Sequence, residues 1–193
     1  MIENIDFEKK TDEELVAIVL ENQGVFSYLV NRYKDKLLRY IRRISNVGLE
    51  EAEDMLQNIF IKVYLNLNDF DDSLKFSSWI YRIAHNEVID NYRKRKARPQ
   101  LLDIDIQESQ IRELAGETDL FEEVARQELK QEISQALSQI DLKYQEMIIL
   151  KYLEEKDYQE ISDIIKKPLG TVASRMNKAK AELKKFLNAN HKL

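Results

Sequence analysis

The chain has 193 residues, 44% of them hydrophobic, which suffices for one ordinary domain or two small ones with compact cores. Its four Gly and two Pro are too few for the turns of an all-β sandwich, and the absence of Cys excludes disulfides and thiolate metal sites, so a reducing cytoplasm is expected. The acidic N-terminus has no signal-peptide core, and no apolar run is long enough to insert into a membrane.

The formal net charge of −5 argues against nucleic acid only on average, because the charge is segregated. Residues 166–193 carry eight Lys or Arg and one acid, giving 8 − 1 = +7, and residues 92–98 hold five cations. Between them, residues 99–132 carry three bases and ten acids, giving 3 − 10 = −7. Two basic surfaces separated by an acidic stretch are therefore expected; the alternative is a set of ordinary solvated helix faces.

In chain order, apolar residues at helical spacing predict one continuous helical stripe from about Leu15 to Ile44, followed by a stop at residues 46–48. A second helix is expected at about 50–67 and a polar loop at 68–75. Ser77 or Ser78 can cap the next helix, which should end in the basic run near Pro99. The prediction is an all-α protein with a first domain at 1–97, an acidic linker at 98–120 and a second helical domain at 121–193.

The last predicted element is a helix–turn–helix. Asp157 and Glu160 have the spacing of a capping box, which starts a helix at Tyr158, and Pro168 and Gly170 predict a tight turn before a new helix near Thr171. That new helix has a buried stripe and an outer polar and basic stripe at i, i+3, i+4 and i+7. Such a face suits entry into the DNA major groove. The outer stripe consists of Thr171, Ser174, Arg175 and Lys178.

Two motifs resemble those of one family. The segment that begins AEDMLQNIF at Ala52 and includes FSSWIYRIAHN from Phe76 resembles region 2 of sigma-70-family factors, and PLGTVASRMNKAKAEL from Pro168 resembles their region 4. The class with the greatest similarity is the extracytoplasmic-function, or group 4, sigma factors. Lys178 and Lys180 stand where Arg is common in that class, and Ala173 stands where Lys is common. Bidentate base reading does not survive an Arg-to-Lys exchange, whereas phosphate attraction does.

The resemblance implies a factor that directs core RNA polymerase to specific promoters and promotes DNA melting, in a stress or envelope response. It implies core polymerase, promoter DNA and an anti-sigma factor as partners, with no small-molecule substrate, cofactor or metal. Polymerase contacts are expected on one helix, at Asp54, Gln57, Asn58, Ile61 and Tyr64. Ile61 and Tyr64 lie off the inner stripe, and the alternative is that they form a second packing face.

The resemblance also implies two DNA-binding sites. The 69–78 loop would capture a flipped minus-10 base, with Lys75 as a charge and Phe70 or Phe76 as a stacking surface; the alternative for both rings is core packing, which is favoured for Trp79. The next helix would run along the melting strand. The expected minus-10 residues are Phe70, Lys75, Phe76, Arg82, His85, Asn86, Arg93 and Lys94. The expected minus-35 residues are Thr171, Ser174, Arg175, Lys178 and Lys180.

For the acidic linker two uses remain open. It can lie against the basic C-terminal surface in the free protein, or, as the resemblance implies, thread the RNA path of the polymerase.

Two other function classes compete for the whole chain. An enzyme is disfavoured because His85-Asn86-Glu87 matches a zinc deaminase only superficially and the Cys partners do not exist. A stand-alone helix–turn–helix regulator would lack the N-terminal motif and bind duplex DNA without polymerase.

Overall fold

The computed structural model describes residues 6–97, 132–133 and 135–190, and within this part of the chain all regular structure is helical. The described residues divide into two compact units. The first is drawn from residues 1–100 and 159–166, and the second from 101–158 and 167–193. The all-α fold class is confirmed.

Four α-helices build most of the first unit: α1 (Asp12–Glu21), α2 (Phe26–Ser45), α3 (Leu49–Leu65) and α4 (Phe76–Ala97). A capping box between Thr11 and Glu14 starts α1. The predicted stop after α2 is confirmed, since Asn46 adopts a left-handed conformation with φ of 52°. The largest fully buried side chains pack between these helices and include Leu15, Leu29, Leu37, Tyr40, Ile41, Ile59, Phe76 and Ile80.

In the second unit, α5 (Leu142–Ile148) continues into a π-helical turn at Ile149–Leu153 and packs against the long α7 (Leu169–Asn190). The apolar face of α7 is buried, as its sequence spacing predicts. The side chains that carry this burial are Met147, Leu150, Val172, Met176 and Ala179. The short α6 (Tyr158–Ile165) precedes α7 in the chain, and from Gln159 onward it is grouped with the first unit.

Two local predictions were wrong by a few residues. The turn after α6 is made by Lys166, whose φ of 52° is left-handed, and α7 already begins at Leu169, so Gly170 lies in its first turn. The carbonyl of Pro168 accepts hydrogen bonds from the backbone of Thr171 and Val172, which starts the helix early. The helix α4 likewise begins at Phe76, before both serines that were expected to cap it, and Ser78 is buried within the helix.

Residues 98–131, which contain the whole predicted acidic linker at 98–120, lie outside the described residues. The domain boundaries at 97 and 120 and both proposed uses of the linker therefore stay predictions. Among the helices that the structure describes, none combines the length and the apolar character needed to cross a membrane.

Candidate nucleic-acid interface

The outward side of α7 forms one continuous surface near its N-terminal end. Thr171, Ser174, Arg175 and Lys178 line a shallow concavity of roughly 440 Å³, together with Gly170. The four polar and basic residues lie on one side of the helix, as their i, i+3, i+4 and i+7 spacing predicts. Val172 and Met176, on the opposite side of the helix, are fully buried and fix its rotation. The surface therefore presents hydroxyls and cations outward from a helix that the core holds rigidly.

Lys143 and Tyr144 complete this concavity and were not predicted. They lie in the first turn of α5, which packs against α7. The Lys143 ammonium is 2.8 Å from a carboxylate oxygen of Asp141 and 4.7 Å from the centre of the Tyr144 ring. The hydrogen bond with Asp141 raises the pKa of Lys143, so this cation stays charged. We call the surface made by Lys143, Tyr144, Thr171, Ser174, Arg175 and Lys178 the α7 face.

Lys180 does not line the α7 face. Its ammonium lies 5.8 Å from the centre of the Tyr152 ring, and a hydrogen bond with the Tyr152 hydroxyl raises the pKa of Lys180. A helical step of two residues from Lys178 turns the side chain by about 200°, which is the physical reason for the separation. Its assignment to minus-35 DNA stays a prediction, but the structure places it apart from the other four residues.

Beneath the 69–75 loop, four rings form an aromatic cluster of Tyr33, Phe70, Phe76 and Trp79. Phe76 is at the centre, with its ring centroid 5.6 Å from Tyr33, 5.5 Å from Phe70 and 5.7 Å from Trp79. Phe76 has no exposed surface and Trp79 is 8% exposed, so the expected core packing of Trp79 is confirmed. The contacts of Phe76 with Tyr33 and Phe70 are edge-on, and contacts of this kind favour a fixed relative orientation of the rings.

The burial of Phe76 favours core packing over base stacking, because its ring faces are covered by protein. Phe70 is partly exposed and packs edge-on against both Phe76 and Trp79. Phe70 is therefore the ring of the pair that has surface left for a ligand. The sequence alone left both roles open for these rings, since an aromatic residue beside a loop has the same pattern in either case.

The 69–75 loop has its own hydrogen bonds. A carboxylate oxygen of Asp71 accepts the backbone N–H of Ser73 at 3.0 Å, and the Asp71 carbonyl accepts the N–H of Leu74 at 3.0 Å. The side-chain and backbone hydrogen bonds from Ser73 lower the pKa of Asp71. At the end of the loop, the Lys75 carbonyl accepts the N–H groups of Ser78 and Trp79, which joins the loop to α4.

Two of the predicted minus-10 cations have protein partners within the first unit. The Lys75 ammonium lies 3.2 Å from Glu160, and the Arg82 Nε donates to the carbonyl of Asp163 at 2.8 Å. Burial lowers the pKa of the Arg82 guanidinium below its ordinary value. One Arg82 nitrogen is buried without a hydrogen-bond partner.

The remaining predicted minus-10 residues are spread along α4. His85 is half-buried, whereas Asn86, Arg93 and Lys94 are exposed. Arg93 lies 3.6 Å from Asp90 one turn earlier, in a pair exposed enough to contribute little stability. The C-terminal turns of α4 therefore present cations to solvent beyond the 69–75 loop.

On α3, the predicted polymerase-contacting residues do not all face the same way. Asp54 and Gln57 are exposed, while the Asn58 amide donates to Glu87 of α4 at 3.4 Å. Tyr64 is 38% exposed and packs edge-on against Phe26, with ring centroids 5.2 Å apart. The packing of Tyr64 thus agrees in part with the alternative of a second packing face.

Ile61 is the most exposed apolar group of the predicted α3 set, at 56%, and Leu65 one turn later is 70% exposed. Leu65 was missed, although its i+4 spacing from Ile61 is the signal that would have found it. Exposed apolar side chains that adjoin one another mark an interaction site more often than isolated ones do. We call Ile61, Tyr64 and Leu65 the α3 stripe.

The described residues hold no cluster of three or more His, Asp or Glu side chains that could bind a metal ion. Glu87, the acid of the weak deaminase match, instead accepts hydrogen bonds from Lys62 and Asn58 and ties α3 to α4. Glu87 thus takes part in the packing of α3 against α4, whereas Asn86 is exposed.

Two family models match this chain, one in each of its two parts. The model described as sigma-70 region 2 matches residues 29–98, and the one described as sigma-70, region 4 matches residues 130–183. The chain is 36% identical over 171 residues to the ECF RNA polymerase sigma factor SigW of Bacillus subtilis, covering 86% of this chain and 90% of that protein. It is 30% identical to the ECF RNA polymerase sigma-E factor of Escherichia coli K12, covering 90% and 92%.

Solved structures show the same fold. CnrH, in complex with the cytosolic domain of CnrY, aligns with a TM-score of 0.68 at 24% identity, covering 93% of this chain and 99% of CnrH. The sigma factor RpoE of Bartonella quintana, in complex with the anti-sigma factor NepR, aligns with a TM-score of 0.61 at 21% identity, covering 84% and 96%.

Proposed function

Because the chain belongs to the extracytoplasmic-function sigma factors of the sigma-70 family, we propose that it directs core RNA polymerase to its promoters through three separate surfaces. The α7 face reads minus-35 duplex DNA, the 69–75 loop with α4 holds unpaired minus-10 DNA, and the α3 stripe docks on the polymerase. The observation that carries the proposal is the α7 face, in which hydroxyls and cations share one side of a core-anchored helix.

At the minus-35 element, Arg175 is the residue best suited to read a base, because a guanidinium can donate two parallel hydrogen bonds to guanine. Lys178 and Lys143 bracket it as phosphate-binding cations, and Thr171 and Ser174 supply hydroxyls at the N-terminal end of the helix. Lys143 adds a phosphate contact from α5, outside the predicted set.

At the minus-10 element, we assign base capture to Phe70 and the 69–75 loop. Phe70 has exposed ring surface and is backed by the aromatic cluster, so an unstacked base gains a platform that is already ordered. Phe76 supports that platform from below. The exposed Asn86, Arg93 and Lys94 would follow the melted strand along α4, and Lys75, Arg82 and His85 would join them where DNA displaces their protein contacts.

Docking on polymerase is assigned to the α3 stripe with Asp54 and Gln57 beside it. Ile61 and Leu65 expose apolar surface that gains free energy when a partner covers it, at about 25 cal/mol per Å² buried. Asn58 would contribute by keeping α3 fixed to α4 through Glu87.

We further propose an anti-sigma partner, since the relative RpoE is complexed with the anti-sigma factor NepR. The protein is proposed to act in the cytoplasm, to need no cofactor, and to perform no catalysis of its own; the polymerase supplies the bond-making chemistry.

The test is run-off transcription with bacterial core polymerase. Wild type should direct initiation from a restricted promoter set, and Ile61→Asp should lose core binding while its helical content is unchanged. Val30→Ile, at a half-buried position of α2, serves as the control that should behave as wild type. If wild type does not bind core polymerase, the proposed function is wrong.

A further inference from the structure

The helix α1 lies before the region 2 match, which begins at residue 29, yet it contacts both ends of the 69–75 loop. On one side it packs against the 3-10 helix at Leu67–Asp69, which leads into the loop. On the other it packs against α4, which the loop enters. A segment with both contacts is placed to control the shape of the loop.

A specific hydrogen bond joins α1 to the start of α4. The Glu13 Oε1 accepts the backbone N–H of Phe76 at 3.0 Å, in a partly buried position. The first N–H groups of a helix have no partner within the helix, and a carboxylate there is also favoured by the helix dipole. Glu13 thus does from 63 residues away what the two neighbouring serines were expected to do.

Asp12, the preceding residue, is fastened to the aromatic cluster. The Tyr33 hydroxyl donates to one Asp12 oxygen, and Arg32 donates to the other at 2.7 Å. Arg32 also donates to the carbonyl of Lys10 at 2.9 Å, which holds the chain entering α1. Because Tyr33 packs against Phe76, the positions of the two acids and of the cluster are coupled.

We propose that Glu13 is a positioning residue for minus-10 recognition. By holding the Phe76 N–H, it fixes the direction in which Lys75 and the loop leave α4 and the orientation of the ring that supports Phe70. The base specificity of the loop then depends on a helix outside the region 2 match. This inference rests on the proposed function of the loop.

The experiment measures base preference at the flipped minus-10 position, using start-site sequencing on a promoter library with core polymerase. Glu13→Ala should reduce discrimination between the preferred and disfavoured bases about three- to tenfold, the size expected for one lost hydrogen bond. Glu13→Gln keeps an acceptor oxygen and should retain most of the discrimination.

Glu14→Ala is the matched control. Glu14 completes the capping box of α1 with Thr11 and pairs with Lys10, and these are its contacts with the start of α1. Its loss weakens α1 without removing the bond to Phe76, so base preference should stay as in wild type. All assays are performed at a temperature at which wild type and the variants have the same circular dichroism.

Trp79 is the only tryptophan of the chain and lies in the aromatic cluster, so its emission gives a second readout without polymerase. Glu13→Ala should shift that emission, and Glu14→Ala should not. If Glu13→Ala keeps the wild-type preference, or loses no more than Glu14→Ala, the positioning role is wrong. If wild type itself initiates nowhere, it is the proposed function that fails.

Discussion

The 69–75 loop and the α7 face are both proposed to meet DNA, but they are constructed in different ways. The loop stands on buried rings: Phe76 is wholly inside, and Phe70 is the partly exposed member at the edge. The α7 face stands on buried aliphatic side chains and exposes polar groups directly, with Ser174 and Lys178 open to solvent. One surface depends on the packing beneath it, whereas the other depends on charges that protrude from it.

The charges of the two regions differ in sign as well. The loop from Asp69 to Lys75 holds three acids and one base, giving 1 − 3 = −2. The α7 face holds three cations, at Lys143, Arg175 and Lys178, of which Lys143 is paired with Asp141. An acidic loop repels phosphates and gains from contact with bases, while a cationic face gains from releasing counterions. Salt should therefore weaken recognition at the α7 face much more than at the loop.

The largest expected effect concerns the core of the cluster. Phe76→Ala should lower the free energy of unfolding by about 3–5 kcal/mol, because it empties a fully buried aromatic site. Thermal or urea unfolding measures this. Phe70→Ala removes a partly exposed ring and should cost less stability while abolishing minus-10 discrimination. Equal stability losses for the two variants would contradict the difference between a supporting ring and a reading ring.

The next effect lies on the α7 face. Arg175→Ala should weaken minus-35 recognition by about 1–3 kcal/mol and relax the base preference at one position. Lys178→Ala should weaken all sequences alike and reduce the salt slope by about one. Holoenzyme binding to promoter variants over a salt series separates the two. If neither variant changes promoter binding, the face does not meet DNA.

A smaller effect is expected for Lys143, which was not part of the predicted set. Lys143→Ala should weaken promoter binding about five- to tenfold near 0.1 M salt, irrespective of sequence, and reduce the salt slope by about one. Asp141→Asn is the informative partner variant, because it frees Lys143 from its ion pair and should not weaken binding. A salt slope unchanged by Lys143→Ala would restrict the phosphate contacts to α7.

The smallest effect tests the anchor between α1 and the cluster. Burial, followed by the hydrogen bond with Asp12, raises the pKa of Tyr33 above its ordinary value. Because the folded protein favours the neutral phenol, the stabilisation that Tyr33 gives to the fold is fully present below about pH 10. It is lost as the pH rises further. Tyr33→Phe should cost about 0.5–1.5 kcal/mol at neutral pH and lose less stability than wild type above pH 10. If wild type and Tyr33→Phe lose stability in parallel above pH 10, Tyr33 is not the group responsible.

Much of the fold could be predicted from local patterns. Helical spacing located α3, α4 and the apolar stripe shared by α1 and α2, but not the break between α1 and α2 at residues 22–25. The residue pattern at Thr171, Ser174, Arg175 and Lys178 located one shared surface, because a helix fixes which residues lie on one side. The same rule separates Lys180 from that surface, because its two-residue offset from Lys178 turns it to another side of the helix.

Contacts between distant segments could not be predicted from the sequence. Glu13 lies 63 residues before the helix it caps, and no local signal connects it with Phe76. Lys143 lies on α5, and its place beside Arg175 follows only from the packing of α5 on α7. The choice between stacking and core packing for Phe76 was also open, since burial of a ring depends on neighbours that a linear pattern does not show.

Two differently constructed surfaces are proposed to read two promoter elements for core polymerase. Transcription by the reconstituted holoenzyme tests this on a library randomised at both elements, at low and high salt, with start-site sequencing. Two separate preferred sequence blocks are expected, with the upstream preference weakening strongly at high salt and the downstream preference holding. A single preferred block, or equal salt sensitivity of both blocks, would show that the two surfaces do not read DNA in this way.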